Sequence, residues 1–125
     1  MRDFLLVGSG GFLGSVSRYY LGGWVLHMYP LGKFPISTLV VNLAGCLLIG
    51  VIAAMAHHWH FFSNPARLFL MTGVLGGFTT FSAFGFETFY LMRQGETILA
   101  AINIMLCPIA GVLMVWFGDK VISSL

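Results

Sequence analysis

The chain has 125 residues, 58% of them hydrophobic, and only 8% carry a charge. Because ordinary soluble domains carry about a quarter charged residues, this composition excludes a water-soluble fold and favours a protein that lies in the lipid bilayer. The formal charge is only +2, and the Lys and Arg residues are spread singly along the chain. Nucleic-acid binding needs clustered basic residues, so we expect no nucleic-acid partner.

Four hydrophobic stretches follow one another in a single domain that covers residues 1–125. They span about 4–26, 36–56, 66–92 and 97–117. A helix rises about 1.5 Å per residue, so each stretch has the roughly 20 residues needed to cross a ~30 Å hydrocarbon core. Asn64 and Pro65 suit the start of the third helix, and Gly118 with the two residues after it predicts the end of the fourth. The sequence thus predicts an all-α integral membrane protein with four transmembrane helices.

Basic residues are distributed almost evenly between the two ends of the predicted bundle. Arg2, Arg67 and Lys120 fall at the end that holds both termini, and Lys33 and Arg93 fall at the other. Membrane orientation follows an excess of Lys and Arg in cytoplasmic loops, and three against two is hardly an excess. We therefore expect dual topology, in which the chain inserts in both orientations and pairs with itself as an antiparallel homodimer.

The third stretch carries three glycines and two threonines near its middle, at Gly73, Gly76, Gly77, Thr79 and Thr80. Gly costs about 1 kcal/mol relative to Ala inside a helix, and β-branched Thr adds to that cost. We expect the helix to break there in mid-membrane, with the freed backbone groups facing protein, water or an ion, because they cannot face lipid. The alternative interpretation is that the glycines permit close helix packing, as small residues do in membranes.

Aromatic and amide side chains near the expected break have the chemistry to meet a small anion. Phe81 and Phe84 lie three residues apart and so share a helix face, and the edges of their rings carry positive potential. In the second stretch Asn42 offers two N–H donors, and Thr38 lies one turn before it. The alternative interpretations are plain packing for the two rings and an interhelical hydrogen bond for Asn42.

A semi-polar stripe runs along the fourth stretch through Asn103, Cys107 and Gly111, which are spaced by four. Pro108 adjoins the stripe and removes one helical hydrogen bond, so we expect a kink or an exposed carbonyl there. The other cysteine, Cys46, lies in the second stretch. We expect both thiols to stay unbonded, because buried cysteines mostly act as small hydrophobes.

The titratable side chains do not form a recognisable catalytic or metal site. Arg18 and Glu87 fall inside hydrophobic stretches. An Arg at the membrane centre costs about 2.5–3.5 kcal/mol on insertion scales, so we expect Arg18 to reach water or an anion-facing vestibule. His57, His58 and His60 lack a specific ligand spacing, and we expect an interfacial position for them rather than a metal site.

Three segments resemble the Fluc/CrcB family of fluoride channels, and the resemblance extends over nearly the whole chain. They are Gly10-Gly11 to Gly14 with Ser17-Arg18-Tyr19, then Thr38-Leu-Val-Val-Asn42-Leu-Ala-Gly45, and finally Gly76-Gly77-Phe78-Thr79-Thr80-Phe81-Ser82-Ala83-Phe84 followed by Glu87. The last segment is the most specific. The resemblance implies passive, selective fluoride export through two antiparallel pores per dimer in a multi-pass protein of the bacterial inner membrane, with no enzymatic activity.

The same resemblance implies a set of fluoride-pore residues. Phe81 and Phe84 match the phenylalanines that line the pores, and Asn42 matches the polar pore residue of the second helix. The rest of the expected lining consists of Thr38, Thr80, Ser82, Asn103 and Cys107. Cys107 followed by Pro108 departs from the family pattern of a hydroxyl or amide before an aliphatic residue, and a thiol is the weaker hydrogen-bonding group.

The resemblance also implies a vestibule residue and an ion site. Arg18 matches the first-helix arginine near the vestibule, and Gly76 and Thr79 match positions whose backbone carbonyls hold a structural Na⁺ at the centre of the dimer.

The alternative function is that of a proton-coupled small multidrug or guanidinium exporter, which is also a short four-span dimer of dual topology. Such a carrier needs an acid embedded in the membrane, and Glu87 is the candidate.

Overall fold

The protein is all-helical in the residues that the structure, a computed structural model, describes, namely 1–30, 32–58 and 62–125. Its elements are α1 (Arg2–Met28), α2 (Ile36–His58), α3 (Asn64–Arg67), the π-helix π1 (Leu68–Leu75), α4 (Gly76–Phe78), α5 (Phe81–Arg93) and α6 (Thr97–Ser123). The part from Asn64 to Arg93, which joins α3, π1, α4 and α5, is called the third segment below. Of the histidine cluster, His60 lies outside the described residues.

Three helical units in the described part of the chain are long and apolar enough to cross a membrane: Ile36–His57, Asn64–Arg93 and Thr97–Ser123. The third segment begins at Asn64 with Pro65 in its first turn, as the sequence predicts. At 27 residues α1 has sufficient length, but its glycines, serines and Arg18 lower its hydropathy, and it does not join this group. That α1 spans the membrane stays a prediction.

Glycines bring α1 and the third segment into backbone contact. A Cβ added at Gly10 would lie 2.7 Å from the Phe69 carbonyl oxygen and 2.9 Å from the Cα of Gly73. One added at Gly77 would lie 2.5 Å from the Gly11 carbonyl oxygen. Such distances leave no room for any side chain, because the opposing atoms belong to the backbone. For Gly73 and Gly77 the interpretation as packing residues is therefore confirmed.

The pair formed by α2 and α6 packs as closely, and it also depends on glycine. A Cβ at Gly118 would lie 2.5 Å from the Leu47 carbonyl oxygen, and one at Gly111 would lie 3.3 Å from Cys46 Sγ. The prediction that Gly118 begins a closing turn is wrong, because α6 continues to Ser123. Gly118 lies inside the helix because the neighbouring α2 backbone demands a residue without a side chain there.

The third segment is broken midway, but at its threonines rather than its glycines. Thr79 (φ −81°, ψ 158°) and Thr80 (φ −149°, ψ 113°) are both extended, whereas Gly76 and Gly77 are helical. Extended backbone suits β-branched residues, so the threonines accept the break readily. The π-helix π1 precedes it; such helices are rare and often occur at functional sites.

Two connections meet at one end of the bundle. Lys33, between α1 and α2, forms an ion pair with Glu96, between α5 and α6. An up-and-down arrangement of successive helical units places these two connections at the same end. The ion pair is exposed on the lysine side, so it contributes at most about 1 kcal/mol to stability.

Candidate functional site

The side chain of Asn42 holds the broken backbone of the third segment. Its Nδ2 donates to the Thr80 carbonyl oxygen at 3.1 Å, and the Thr80 N–H donates to its Oδ1 at 2.8 Å. The amide thus satisfies both backbone groups of one extended residue, in the manner of a neighbouring β-strand. Asn42 is therefore an interhelical hydrogen-bonding residue, the alternative that the sequence left open, and its side chain also hydrogen-bonds the Cys107 thiol on α6.

The break leaves two backbone carbonyls without their usual helical partners. In a helix the Gly76 carbonyl would accept from the Thr80 N–H, but that N–H donates to Asn42. The Thr79 carbonyl would accept from the Ala83 N–H, which instead donates to Thr80 Oγ1 at 3.2 Å. Unwound carbonyls of this kind are the groups that hold Na⁺ in broken membrane helices. Gly76 and Thr79 thus fit the Na⁺ site implied by the resemblance.

The two expected pore phenylalanines begin the helix that follows the break. The ring centroids of Phe81 and Phe84 are 5.5 Å apart, with the ring planes tilted by 39°. Phe81 is 84% exposed, whereas Phe84 is half-buried. Next to them the hydroxyls of Thr80 and Ser82 lie 3.2 Å apart. The exposed Phe81 ring and the two hydroxyls beside it form a mixed surface, partly apolar and partly polar, that the single chain leaves uncovered.

A groove of about 450 Å³ runs between α2, the third segment and α6. We call it the central groove. The expected site residues that line it are Asn42, Gly76, Thr79, Thr80, Phe81 and Cys107. None of the described residues along its wall carries a charge, so backbone groups, one amide, hydroxyls, thiols and ring edges provide all of its polarity.

A second cavity, of about 790 Å³, lies between α1, α2 and the start of α5. We call it the vestibule cavity. Arg18 and His27 contribute to its wall, together with Thr38 and Thr80. Thr80 therefore lines both cavities and separates the vestibule cavity from the central groove. The break in the third segment is thus located where the two cavities adjoin.

Glu87 is bound by Thr38 rather than by an arginine. Thr38 Oγ1 donates to Glu87 Oε1 at 2.6 Å. The other carboxylate oxygen, Oε2, is buried and has no hydrogen-bond partner among the described residues. Glu87 is thus half-buried, and one hydrogen bond attaches it to α2.

Asn103 lies behind the site instead of facing either cavity. It is only 2% exposed, and its Nδ2 donates to Thr88 Oγ1 at 2.8 Å. Thr88 in turn donates to the Phe84 carbonyl oxygen at 2.7 Å. Sequence reasoning overlooked Thr88, since a lone threonine on an apolar helix gives no signal until its partner is known. In this chain Asn103 positions the helix that bears Phe84.

The site shows no cluster suited to a transition metal or to acid–base catalysis. Among the described residues there is no group of three or more His, Cys, Asp or Glu side chains that could hold a metal ion. Both Cys46 and Cys107 are free thiols, as the sequence predicts.

A family model described as "CrcB-like protein, Camphor Resistance (CrcB)" matches residues 5–119. A protein of Methylobacillus flagellatus named "Fluoride-specific ion channel FluC" is 42% identical over 123 residues, 98% of this chain and 96% of that relative. Relatives of the same name from Chlorobium chlorochromatii and Geotalea uraniireducens are 44% and 37% identical. The first alignment covers 91% of this chain and 87% of the relative; the second covers 100% of both.

Proposed function

Because the chain belongs to the CrcB family, we propose that it is a passive, selective fluoride channel that exports fluoride across the bacterial inner membrane. Its relatives are named as fluoride-specific ion channels and not as enzymes. The observation that carries the proposal is the position of Thr80, which lines both the vestibule cavity and the central groove. An ion that passes this residue moves from one cavity to the other.

The proposed path offers weak, neutral contacts to a small anion. Arg18 in the vestibule cavity attracts anions to the entrance. Beyond it lie the side-chain amide of Asn42, the hydroxyls of Thr80 and Ser82, and the ring edge of Phe81. A conducting site must bind an ion strongly enough to admit it and weakly enough to release it. A wall without fixed positive charge suits rapid release of fluoride.

The functional unit in this proposal is an antiparallel homodimer of four-span subunits. A single chain leaves Phe81 84% exposed and has a laterally open groove that includes the unpartnered carbonyls of Gly76 and Thr79. Such backbone groups cannot face lipid, so a second copy is needed to cover them. If the second copy is inverted, each dimer has two pores that point in opposite directions. Passive export can use both pores because the ion moves down its gradient in either one.

We further propose that Gly76 and Thr79 from both copies hold one structural Na⁺ at the centre of the dimer. When bound, the ion would supply positive charge that compensates the partial negative charge of these carbonyl oxygens. The residues of this chain contribute those oxygens because Asn42 and Thr80 take the two N–H groups that would otherwise pair with them. Removing Na⁺ is expected to weaken the dimer, measurable as a lower thermal midpoint in a Na⁺-free buffer.

Efflux from liposomes tests the channel proposal. A fluoride electrode should record rapid release from liposomes loaded with fluoride, and a chloride electrode should record none from liposomes loaded with chloride. Phe81→Ile removes the ring edge and should lower fluoride release by tenfold or more while the dimer persists. Phe86→Ile is the matched control, since Phe86 is exposed on the same helix and lines neither cavity. Slow release by the wild type at the rate of a carrier would refute the channel.

One observation favours the exporter alternative. The buried, unpartnered Oε2 of Glu87 resembles the embedded acid that a proton-coupled carrier requires. In that case a pH gradient should drive guanidinium uptake, and Glu87→Gln should abolish it. The channel proposal expects no guanidinium uptake under any pH gradient and fluoride release that needs no gradient of protons.

A further inference from the structure

Cys46 and Cys107 bring two thiols to the same wall of the central groove. Cys46 Sγ lies 3.3 Å from the position that a Cβ would take at Gly111. Cys107 is one turn before Gly111 on α6, and residues four apart have Cβ atoms about 5–6 Å from each other. Both cysteines line the groove, both are free, and neither is fully buried. The two sulfur atoms are therefore near neighbours on adjacent helices and are open to the groove.

The surroundings of the pair select the kind of ion that it can bind. No third His, Cys, Asp or Glu joins them in a metal-binding group among the described residues, so the four protein ligands of a structural Zn²⁺ site are absent. Two thiolates alone suit a soft cation that accepts linear coordination. Two metal–sulfur bonds of about 2.3 Å each span roughly 4.6 Å, a separation that adjacent helix faces can provide.

We propose that Cys46 and Cys107 form a two-coordinate site for a soft divalent d¹⁰ cation, with Hg²⁺ as its probe. Binding converts Hg²⁺ and two thiols into a neutral mercury bis-thiolate and releases two protons, without any change of oxidation state. Neutrality matters because an uncompensated charge in an apolar groove is costly. A single thiolate would leave the bound ion with one positive charge, whereas the pair cancels it.

Occupation of this site should obstruct the proposed fluoride path. Asn42 and Phe81 line the same groove as the two cysteines, and Asn42 lies one helical turn before Cys46. A bound cation there narrows the groove beside the residues that contact the anion. This consequence depends on the proposed function, whereas the site itself does not.

Thiol counting on the purified, reduced, full-length protein tests the site. HgCl₂ should bind at one equivalent per chain and remove both thiols from reaction with a maleimide, whereas ZnCl₂ should protect neither. In Cys46→Ala and in Cys107→Ser, the remaining thiol should release Hg²⁺ to glutathione at concentrations about 10²–10⁴-fold lower than the wild type requires, because chelation by two linked groups is lost. Cys46→Ser gives a second variant at the first position, and thermal midpoints identify any variant that fails to fold.

Two equivalents of Hg²⁺ per wild-type chain would overturn the proposal, as would single variants that resist glutathione as well as the wild type does. Equal protection by Zn²⁺ would overturn the two-coordinate geometry. A parallel efflux measurement separates the site from the channel. Hg²⁺ should stop fluoride release in the wild type and dithiothreitol should restore it. One bound Hg²⁺ per chain with unchanged efflux would leave the site standing and remove the groove from the fluoride path.

Discussion

The side chain of Asn42 replaces backbone hydrogen bonds that the third segment loses at its break. Two hydrogen bonds join it to Thr80, and those bonds deny the Gly76 carbonyl its helical donor. One residue on α2 therefore determines both the shape of the break and the carbonyl groups that the break presents. An asparagine suits this role because its amide has a donor and an acceptor side by side.

Substitutions of Asn42 should separate its effect on protein stability from its effect on fluoride efflux. Asn42→Ala leaves both polar groups of Thr80 unpaired and should lower the free energy of unfolding by about 1–3 kcal/mol. Asn42→Asp keeps the acceptor for the Thr80 N–H but places a negative charge in the groove, so fluoride efflux should fall at least about tenfold with a smaller loss of stability. Thermal unfolding and liposome efflux measure the two quantities. Equal losses of stability in both variants would contradict this separation.

The buried contact between Asn103 and Thr88 supports the helix that carries Phe84. Thr88→Val preserves the shape of the side chain but leaves the Asn103 amide, 2% exposed, without its acceptor. We expect the free energy of unfolding to fall by about 1–3 kcal/mol, measured by thermal unfolding in detergent. Thr97→Val is the control, because its hydroxyl bonds the Gly95 carbonyl on the exposed surface and should change stability by no more than about 0.5 kcal/mol.

The third segment, with its neighbours α1 and α2, illustrates what the sequence reveals about whole elements. The cost of glycine and β-branched residues predicted a break in the third segment, but it did not indicate which residues would leave the helix. Gly73 and Gly77 lie within helical turns, and glycine is required there because α1 passes too close for any side chain. The extended backbone of Thr80 is paired by Asn42, which lies 38 residues earlier in the chain. Partners so far away in sequence cannot be identified from local propensity.

Glycine contacts between α1 and the third segment should be sensitive to a single methyl group. At Gly14 an added Cβ would collide with the backbone carbonyl of Val74, and it would lie 2.8 Å from the Phe78 nitrogen. Gly14→Ala should therefore destabilise the protein by about 1–3 kcal/mol, seen as a lower thermal midpoint. Gly8→Ala in the same helix meets nothing within 4 Å and should be neutral or stabilising by up to about 1 kcal/mol. Similar midpoints for the two variants would show that the close approach does not contribute to stability.

Composition was enough to predict that this is a membrane protein, but it was not enough to predict which residues line the site. The site depends on how the helices pack against one another. A hydrophobic chain with few charges has to lie in lipid, and the spacing of its polar connections marks out the helical units. The pairing of α2 with α6, and the burial of Asn103 between α6 and α5, depend on tertiary packing. Asn103 and Cys107 are one turn apart on the same stripe, yet Cys107 lines the groove and Asn103 does not.

Dual topology is the prediction that concerns the proposed dimer, and we expect the distribution of basic residues to control it. Lys33 and Glu96 join two connections at one end, and the basic residues at the two ends number three and two. Because orientation follows the excess of Lys and Arg in cytoplasmic loops, a few substitutions should fix it. Tags at the termini of the wild type should be found on both sides of the membrane.

Two oppositely charged designs test whether both orientations are needed. Ser124→Lys with Leu125→Lys changes the ratio from three against two to five against two, which should keep the termini in the cytoplasm. Gly32→Lys, Gln94→Lys and Arg67→Gln together change it to two against four, which should send the termini outward. Each design alone should lose fluoride efflux because its copies cannot pair in antiparallel fashion, and co-expression should restore it. Glutamine in place of the lysines added at positions 32, 124 and 125 controls for local damage, residue 94 being glutamine already. A single design that stays active alone would show that one orientation suffices.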